Sequence, residues 1–120
     1  MTKTGNDRRF DLEERTFAFA RDVLQLVKKL PRTVANIENV KQLVRSSGSI
    51  GANYIEANEA LGKKDFAMRI KICRKEAKET AYWLRLIDIR DDNDSQQCKI
   101  LCDEANQLMK IFGAILEKSK

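Results

Sequence analysis

The sequence predicts an all-α protein, an antiparallel up-down-up-down four-helix bundle, and three observations carry that prediction. Apolar residues recur at three- and four-residue steps through most of the chain, the repeat of a single helix face. The breaks are few and well separated: Pro31, Gly62 and the cluster Asp91-Asp92-Asn93-Asp94-Ser95 divide the chain into four periodic segments. One proline and five glycines in 120 residues favour long helices over a many-turned sheet protein. Short connections between four helices then place sequence neighbours antiparallel. No strand alternation, internal repeat or low-complexity tract interrupts the pattern, so residues 1–120 read as one domain with a modest core.

Residues 1 to about 10 read as a polar lead-in. The first helix is expected over about Leu12–Leu30, with Asp11 as cap and Glu14 completing a capping box. Leu12, Thr16, Phe19, Val23, Leu26 and Leu30 form its stripe, widened by Phe17, Ala20, Leu24 and Val27. Pro31 ends it, because the ring blocks continuation. The second helix is expected over about Asn36–Leu61, with Thr33 or Asn36 as cap and Gly62 in the C-terminal glycine position. The third is expected over about Lys64–Arg90, with Phe66, Ile70, Cys73, Ala77, Thr80, Leu84 and Ile87 facing the core. Ile72, Trp83 and Leu86 mark a second apolar edge on it, interrupted by Glu76 and Glu79. That edge reads either as an interface, where Trp is enriched, or as a broadening of the core. The fourth helix is expected over about Ser95–Glu117 and carries Cys98, Leu101, Ala105, Leu108, Phe112 and Ile115 at heptad spacing.

The second helix has the most informative surface. Val40, Leu43, Ser47, Ile50, Tyr54, Ala57 and Leu61 form its core stripe, and Ile37, Val44, Gly48, Gly51 and Ile55 a neighbouring stripe of mixed size. Gln42, Ser46, Ser49, Asn53 and Glu56 form a third stripe that is polar and mostly uncharged. An exposed helix face normally carries Lys and Glu, since Ser and Asn compete with the backbone for hydrogen bonds. Gln42, Ser49, Asn53 and Glu56 are therefore expected to be at least partly buried and hydrogen-bonded. Gly48 and Gly51 each cost about 1 kcal/mol relative to Ala, and close packing against a neighbouring helix is the expected compensation. Arg45 and Glu56 stand about 16 Å apart along the helix and cannot pair directly, so each is expected to reach a different helix or subunit.

The net charge is +5, from 23 basic and 18 acidic residues. Residues 1–62 carry 10 basic and 8 acidic residues, residues 63–90 carry 9 and 4, and residues 91–120 carry 4 and 6. The excess is therefore concentrated in the third helical segment, and a localised excess points to a partner. Three cysteines, Cys73, Cys98 and Cys102, argue against a disulfide framework and fall on apolar stripes. Cys98 and Cys102 lie one turn apart, but the chain has no histidine and no CxxC pair, so no metal or cofactor is expected. No apolar run approaches the ~20 residues that cross a bilayer, and the N-terminal stretch has no signal-peptide core. A cytoplasmic protein without membrane contact is the expectation.

Gln42, Leu43, Arg45, Ser46, Ser49, Ile50, Asn53 and Glu56 resemble the QLxR[AS]xxSIxxNxxE pattern of four-helix bundle proteins related to the 23S rRNA intervening-sequence protein. Lys63-Lys64-Asp65-Phe66 is similar to the segment that opens their third helix, and the blocks Lys75–Thr80 and Tyr82–Leu86 resemble a later family segment. The likeness covers about residues 17–90. Asn53-Tyr54-Ile55-Glu56-Ala57 departs from the family's NIAEG, with Tyr54 the bulkier residue. The resemblance implies a four-helix bundle that assembles as a homopentamer. It extends to the accessory variability determinant of diversity-generating retroelements, a basic pentamer associated with reverse transcriptase and nucleic acid.

The leading functional expectation is a non-enzymatic oligomeric bundle, structural or adaptor in role, that binds a protein partner or itself through Ile72, Trp83 and Leu86, with Gln42, Arg45, Ser49, Asn53 and Glu56 holding its interfaces. The alternative is an oligomer that binds RNA or DNA. Lys64, Lys71, Lys75, Lys78 and Arg85 share one row of the third helix with Tyr82, about 200° from the core stripe at 100° per residue, and could follow a phosphate backbone. An enzyme is not expected: the commonest general base is missing, and no nucleophile elbow, P-loop or glycine-rich phosphate loop appears.

Overall fold

A computed structural model describes residues 5–120, with side-chain surroundings described from residue 11 onward. It contains α1 (Gly5–Val27), α2 (Val34–Asn58), α3 (Lys63–Leu86) and α4 (Asp92–Lys118), and among the described residues no strand. Each helix packs on its neighbour in sequence, and α4 returns to α1 to close a four-helix bundle in which α1 and α3 stand diagonally apart. The α2–α3 and α3–α4 seams are the most extensive and the α1–α4 seam the least. The body measures 44 × 32 × 19 Å.

The start of α3 and the end of α4 fall within one residue of their expected places, and several other boundaries shift. α1 begins at Gly5 rather than Leu12, because nothing between them breaks a helix even though the apolar stripe has ended. Asp11 therefore lies inside α1 and not at the N-cap position expected of it, so it does not head a capping box with Glu14. Residues 1–4 of the expected lead-in lie outside the described residues. α1 stops at Val27, before Leu30, since Pro31 disfavours helical backbone at the residue preceding it. The chain tightens there: Lys29 N–H donates to Leu26 O at 3.0 Å and Leu30 N–H to Val27 O at 3.3 Å.

Thr33 is the cap of α2, its side chain accepting from Asn36 N–H at 3.1 Å. Asn36 has a different task. It is buried, donates from Nδ2 to Pro31 O at 3.0 Å and Asp88 O at 2.8 Å, and accepts from Asp88 N–H at 2.8 Å. One side chain thus clasps the α1–α2 and α3–α4 connections together. The clasp also explains why α3 ends at Leu86 and not Arg90: Asp88 N–H is taken by Asn36, and Ile87 is already extended at φ −66° and ψ 146°. Gly62 is not the glycine that stops α2. α2 ends at Asn58, and Gly62 is the extended N-cap of α3, at φ −154° and ψ 171°. α4 starts at Asp92, ahead of Ser95, because Asp91 accepts from Asp94 N–H at 3.1 Å. Asp94 in that first turn pairs with Lys29 at 3.0 Å, joining the ends of α1 and α4.

The core follows the predicted stripes with three exceptions: Leu61 lies beyond the end of α2 and is 99 % exposed, and Phe17 and Leu24, expected to widen the stripe of α1, are exposed on its outer side. Phe19, Val23, Leu26, Leu43, Ile50, Ile70, Leu84, Leu108 and Phe112 are all essentially inaccessible. Tyr54 lies tilted on Phe112, ring centroids 5.8 Å apart, so its extra bulk fills space between α2 and α4. Gly51 lies where α1 and α2 approach closely. A Cβ there would sit 2.9 Å from Thr16 Oγ1, and Thr16 is buried with its hydroxyl 2.9 Å from both Leu12 O and Glu13 O. Gly48 does not share this role, because a Cβ on it would meet open space.

Candidate interaction surfaces

The polar stripe of α2 meets α3 in a connected seam. Arg45 crosses to α3, its Nη1 2.8 Å from Glu76 Oε2, with Nη2 at 3.5 Å from both Glu76 Oε1 and Glu79 Oε1. Glu76 is almost wholly buried, whereas Arg45 is half in solvent. Burial pushes the Glu76 carboxyl up, but the hydrogen bonds from Arg45 and Ser49 and the charges of Arg45 and Lys75 outweigh it, leaving the group below its ordinary 4.5. The Glu76 hydrogen bond in turn raises Arg45 further, against its own desolvation. Beside this pair, Asn53 Nδ2 donates to Ser49 O and Ser49 Oγ, both at 2.9 Å, and Asn53 Oδ1 accepts from Arg69 at 3.0 Å. Thr80 Oγ1 lies 2.8 Å from Ser46 Oγ and 2.7 Å from Glu76 O.

Ser49 and Asn53 are thus partly buried and bonded, as their place in the stripe implies. Gln42 and Glu56, expected to share that burial, are exposed. Two bundle helices cross at about 20°, so a straight stripe is covered near the crossing and emerges at its ends. Sequence reasoning missed Glu76, which read as an interruption of an apolar edge. The signal was an acidic residue flanked by Cys73, Ala77 and Thr80, all core-facing, where an unpaired charge would be costly.

The basic row of α3 points the other way. Lys64, Lys71, Lys75, Lys78 and Arg85 are all exposed, and Tyr82 in the same row is 55 % exposed. α3 holds only three acids, Asp65, Glu76 and Glu79, and Arg45 of α2 engages the last two. Among the described residues, no carboxylate lies within ion-pair distance of the five cations in the row.

The second edge of α3 is mixed. Ile72 and Trp83 are half-buried and Leu86 is exposed. Trp83 packs against the core and meets Tyr82 edge-on, centroids 5.0 Å apart at 78°, and its indole N–H is buried with no hydrogen-bond partner among the described residues. A second group of exposed apolar residues lies on α1 and α2. With Thr16 and Gly51 in contact, helical register puts Phe17 and Leu24 on one shoulder of the α1–α2 seam and Ile37 and Ile55 on the other. All four are more than two-fifths exposed.

Burial pushes the Cys73 thiol up to about 12 and Cys98 to about 11, and raises Cys102 as well, so these are weak nucleophiles at neutral pH. Among the described residues, no group of three potential ligands could hold a metal ion, and no helix is long and apolar enough to cross a membrane.

The model of the 23S rRNA-intervening sequence protein family matches residues 8–114. Among curated proteins, none matches the chain. Among solved structures, a protein with unknown function from the S23 ribosomal protein family of Bacteroides thetaiotaomicron VPI-5482 is similar at 28% identity, with a TM-score of 0.77. The likeness covers 91% of this chain and 97% of that one.

Proposed function

The chain belongs to the 23S rRNA-intervening sequence protein family, and from the disposition of its surfaces we propose a non-catalytic scaffold that self-associates through the α1–α2 seam and holds a nucleic-acid backbone along α3. One observation carries this reading. The exposed apolar shoulders lie on α1 and α2, the unpaired cations lie on the outer face of α3, and α3 stands diagonally across from α1. Copies joined at the α1–α2 seam would keep their basic rows outward, and repetition around a ring would multiply weak backbone contacts. The pentamer that the family resemblance implies is the assembly this reading adopts. Arg45 has a part in the electrostatics: by drawing Glu76 and Glu79 toward α2, it removes two of the three counter-charges on α3.

The adaptor reading, with Ile72, Trp83 and Leu86 docking a protein partner, is less favoured because Trp83 already packs on the core. Light scattering on the same sample as fluorescence anisotropy with generic RNA and DNA, over a salt series, tests both halves. The expected result is a particle several times the 13.8 kDa chain whose affinity falls steeply with salt. A monomer at high protein concentration would overturn self-association, and no binding at low salt would overturn the nucleic-acid half. Phe17→Glu places a charge in the proposed contact. It should lower the particle mass toward that of one chain while leaving the helical circular dichroism unchanged, because Phe17 is already 57 % exposed.

A further inference from the structure

We infer that the basic face of α3 prefers an unpaired nucleic-acid strand to a duplex, with Tyr82 as the platform on which a base stacks. The inference rests on the proposed binding reading and narrows its ligand. Two features of the row carry it. The first is its shape. From Lys64 to Arg85 the cations keep to one line on a single helix, about 31 Å long at 1.5 Å per residue. A duplex strand laid along that line turns almost completely around its axis within the same distance, about 34 Å per turn, so its phosphates leave the row. A single strand has no such pitch to keep. About nine stacked nucleotides at 3.4 Å each, or fewer extended ones, fit the length.

The second feature is Tyr82. It interrupts the line of cations between Lys78, one turn before, and Arg85, one turn after, and 55 % of it is exposed. Its ring is braced by Trp83 in an edge-on contact with centroids 5.0 Å apart. A fixed aromatic ring between phosphate-seeking cations suits a base that is free to swing out, and the bases of a duplex are already stacked on each other. RNA and DNA share this chemistry, and the probes separate them.

The test is fluorescence anisotropy with labelled oligo-dT, oligo-rU and a duplex of equal length, using the full chain, Tyr82→Ala and Tyr82→Phe. The expected result is at least about ten-fold tighter binding of one or both single strands than of the duplex. Tyr82→Ala should remove about ten-fold of single-strand affinity, leave duplex binding unchanged, and be rescued by Tyr82→Phe. Equal affinity for strand and duplex, or equal weakening of both by Tyr82→Ala, would overturn this inference while leaving the basic-face reading intact. Absence of binding by every probe would overturn both. Matching thermal melts for the three proteins exclude a folding defect.

Discussion

Arg45→Ala should lower folding stability by about 2–3 kcal/mol at neutral pH, and the loss should shrink in acid. Glu76 is 4% exposed, and its charge is held by one guanidinium with support from Ser49. Removing Arg45 leaves a buried carboxylate with a weak partner. Pairs broken this way cost about 3–5 kcal/mol when both members are buried. The figure here is smaller because Arg45 is half in solvent, where screening weakens its side of the pair. The pH dependence follows from the direction of the shift. In the native protein Glu76 lies below 4.5, so its contribution is in force above pH 4.5 and is lost as pH falls through the lower folded value. In the variant, burial is opposed chiefly by Ser49, so the carboxyl titrates higher and its penalty fades as it takes up a proton. Urea unfolding at about pH 7 and about pH 4 should show the gap between the two proteins narrowing in acid. A gap that is absent at neutral pH, or that widens in acid, would mean that the pair does not hold α2 on α3.

Asn36→Ala should cost about 3 kcal/mol. The substitution removes two donated bonds and one accepted bond at a site 2% exposed, and leaves Pro31 O, Asp88 O and Asp88 N–H without that partner. A fully buried stranded group costs about 1–3 kcal/mol, and these partners are only partly buried, so relaxation of the connections and entry of water temper the loss. Asn36→Asp is the sharper variant, because it keeps the shape and the acceptor but turns a negative charge toward two carbonyl oxygens. It should be no more stable than Asn36→Ala by thermal melting. If Asn36→Asp melts with the native protein, the clasp between the two connections is not what holds that end of the bundle.

These two residues also mark what the sequence could and could not reveal. The core stripes were legible because a 3.6-residue repeat forces apolar side chains onto one line, and Phe19, Leu43, Ile70 and Leu108 lie where that repeat puts them. Ser49 and Asn53 were legible for the same reason, being uncharged residues in register beside an apolar stripe. The partner of Arg45 was not, since Glu76 lies 31 residues away on another helix and no spacing rule connects them. Helix ends failed on the same ground. Thr33 and Asn36 both read as possible caps, and Thr33 is the one that caps, whereas the Asn36 side chain serves a backbone 52 residues on; Gly62 read as a helix stop although it opens the next helix. Apolar periodicity reports which face is buried. It carries no information on which polar group, far along the chain, takes a backbone donor.

Reversing Lys71, Lys75 and Lys78 together to glutamate, and measuring nucleic-acid affinity against salt alongside particle mass, decides whether α3 is the nucleic-acid face. All three side chains are exposed, and the row forms no ion pairs among the described residues, so the fold and the assembly should persist. Mass and helicity should be unchanged, with binding abolished even at low salt. Each single Lys→Ala change should lower the salt slope of the native protein by about 0.7–0.9. Binding that survives the triple reversal with the native salt slope would contradict the assignment of α3 as the nucleic-acid face.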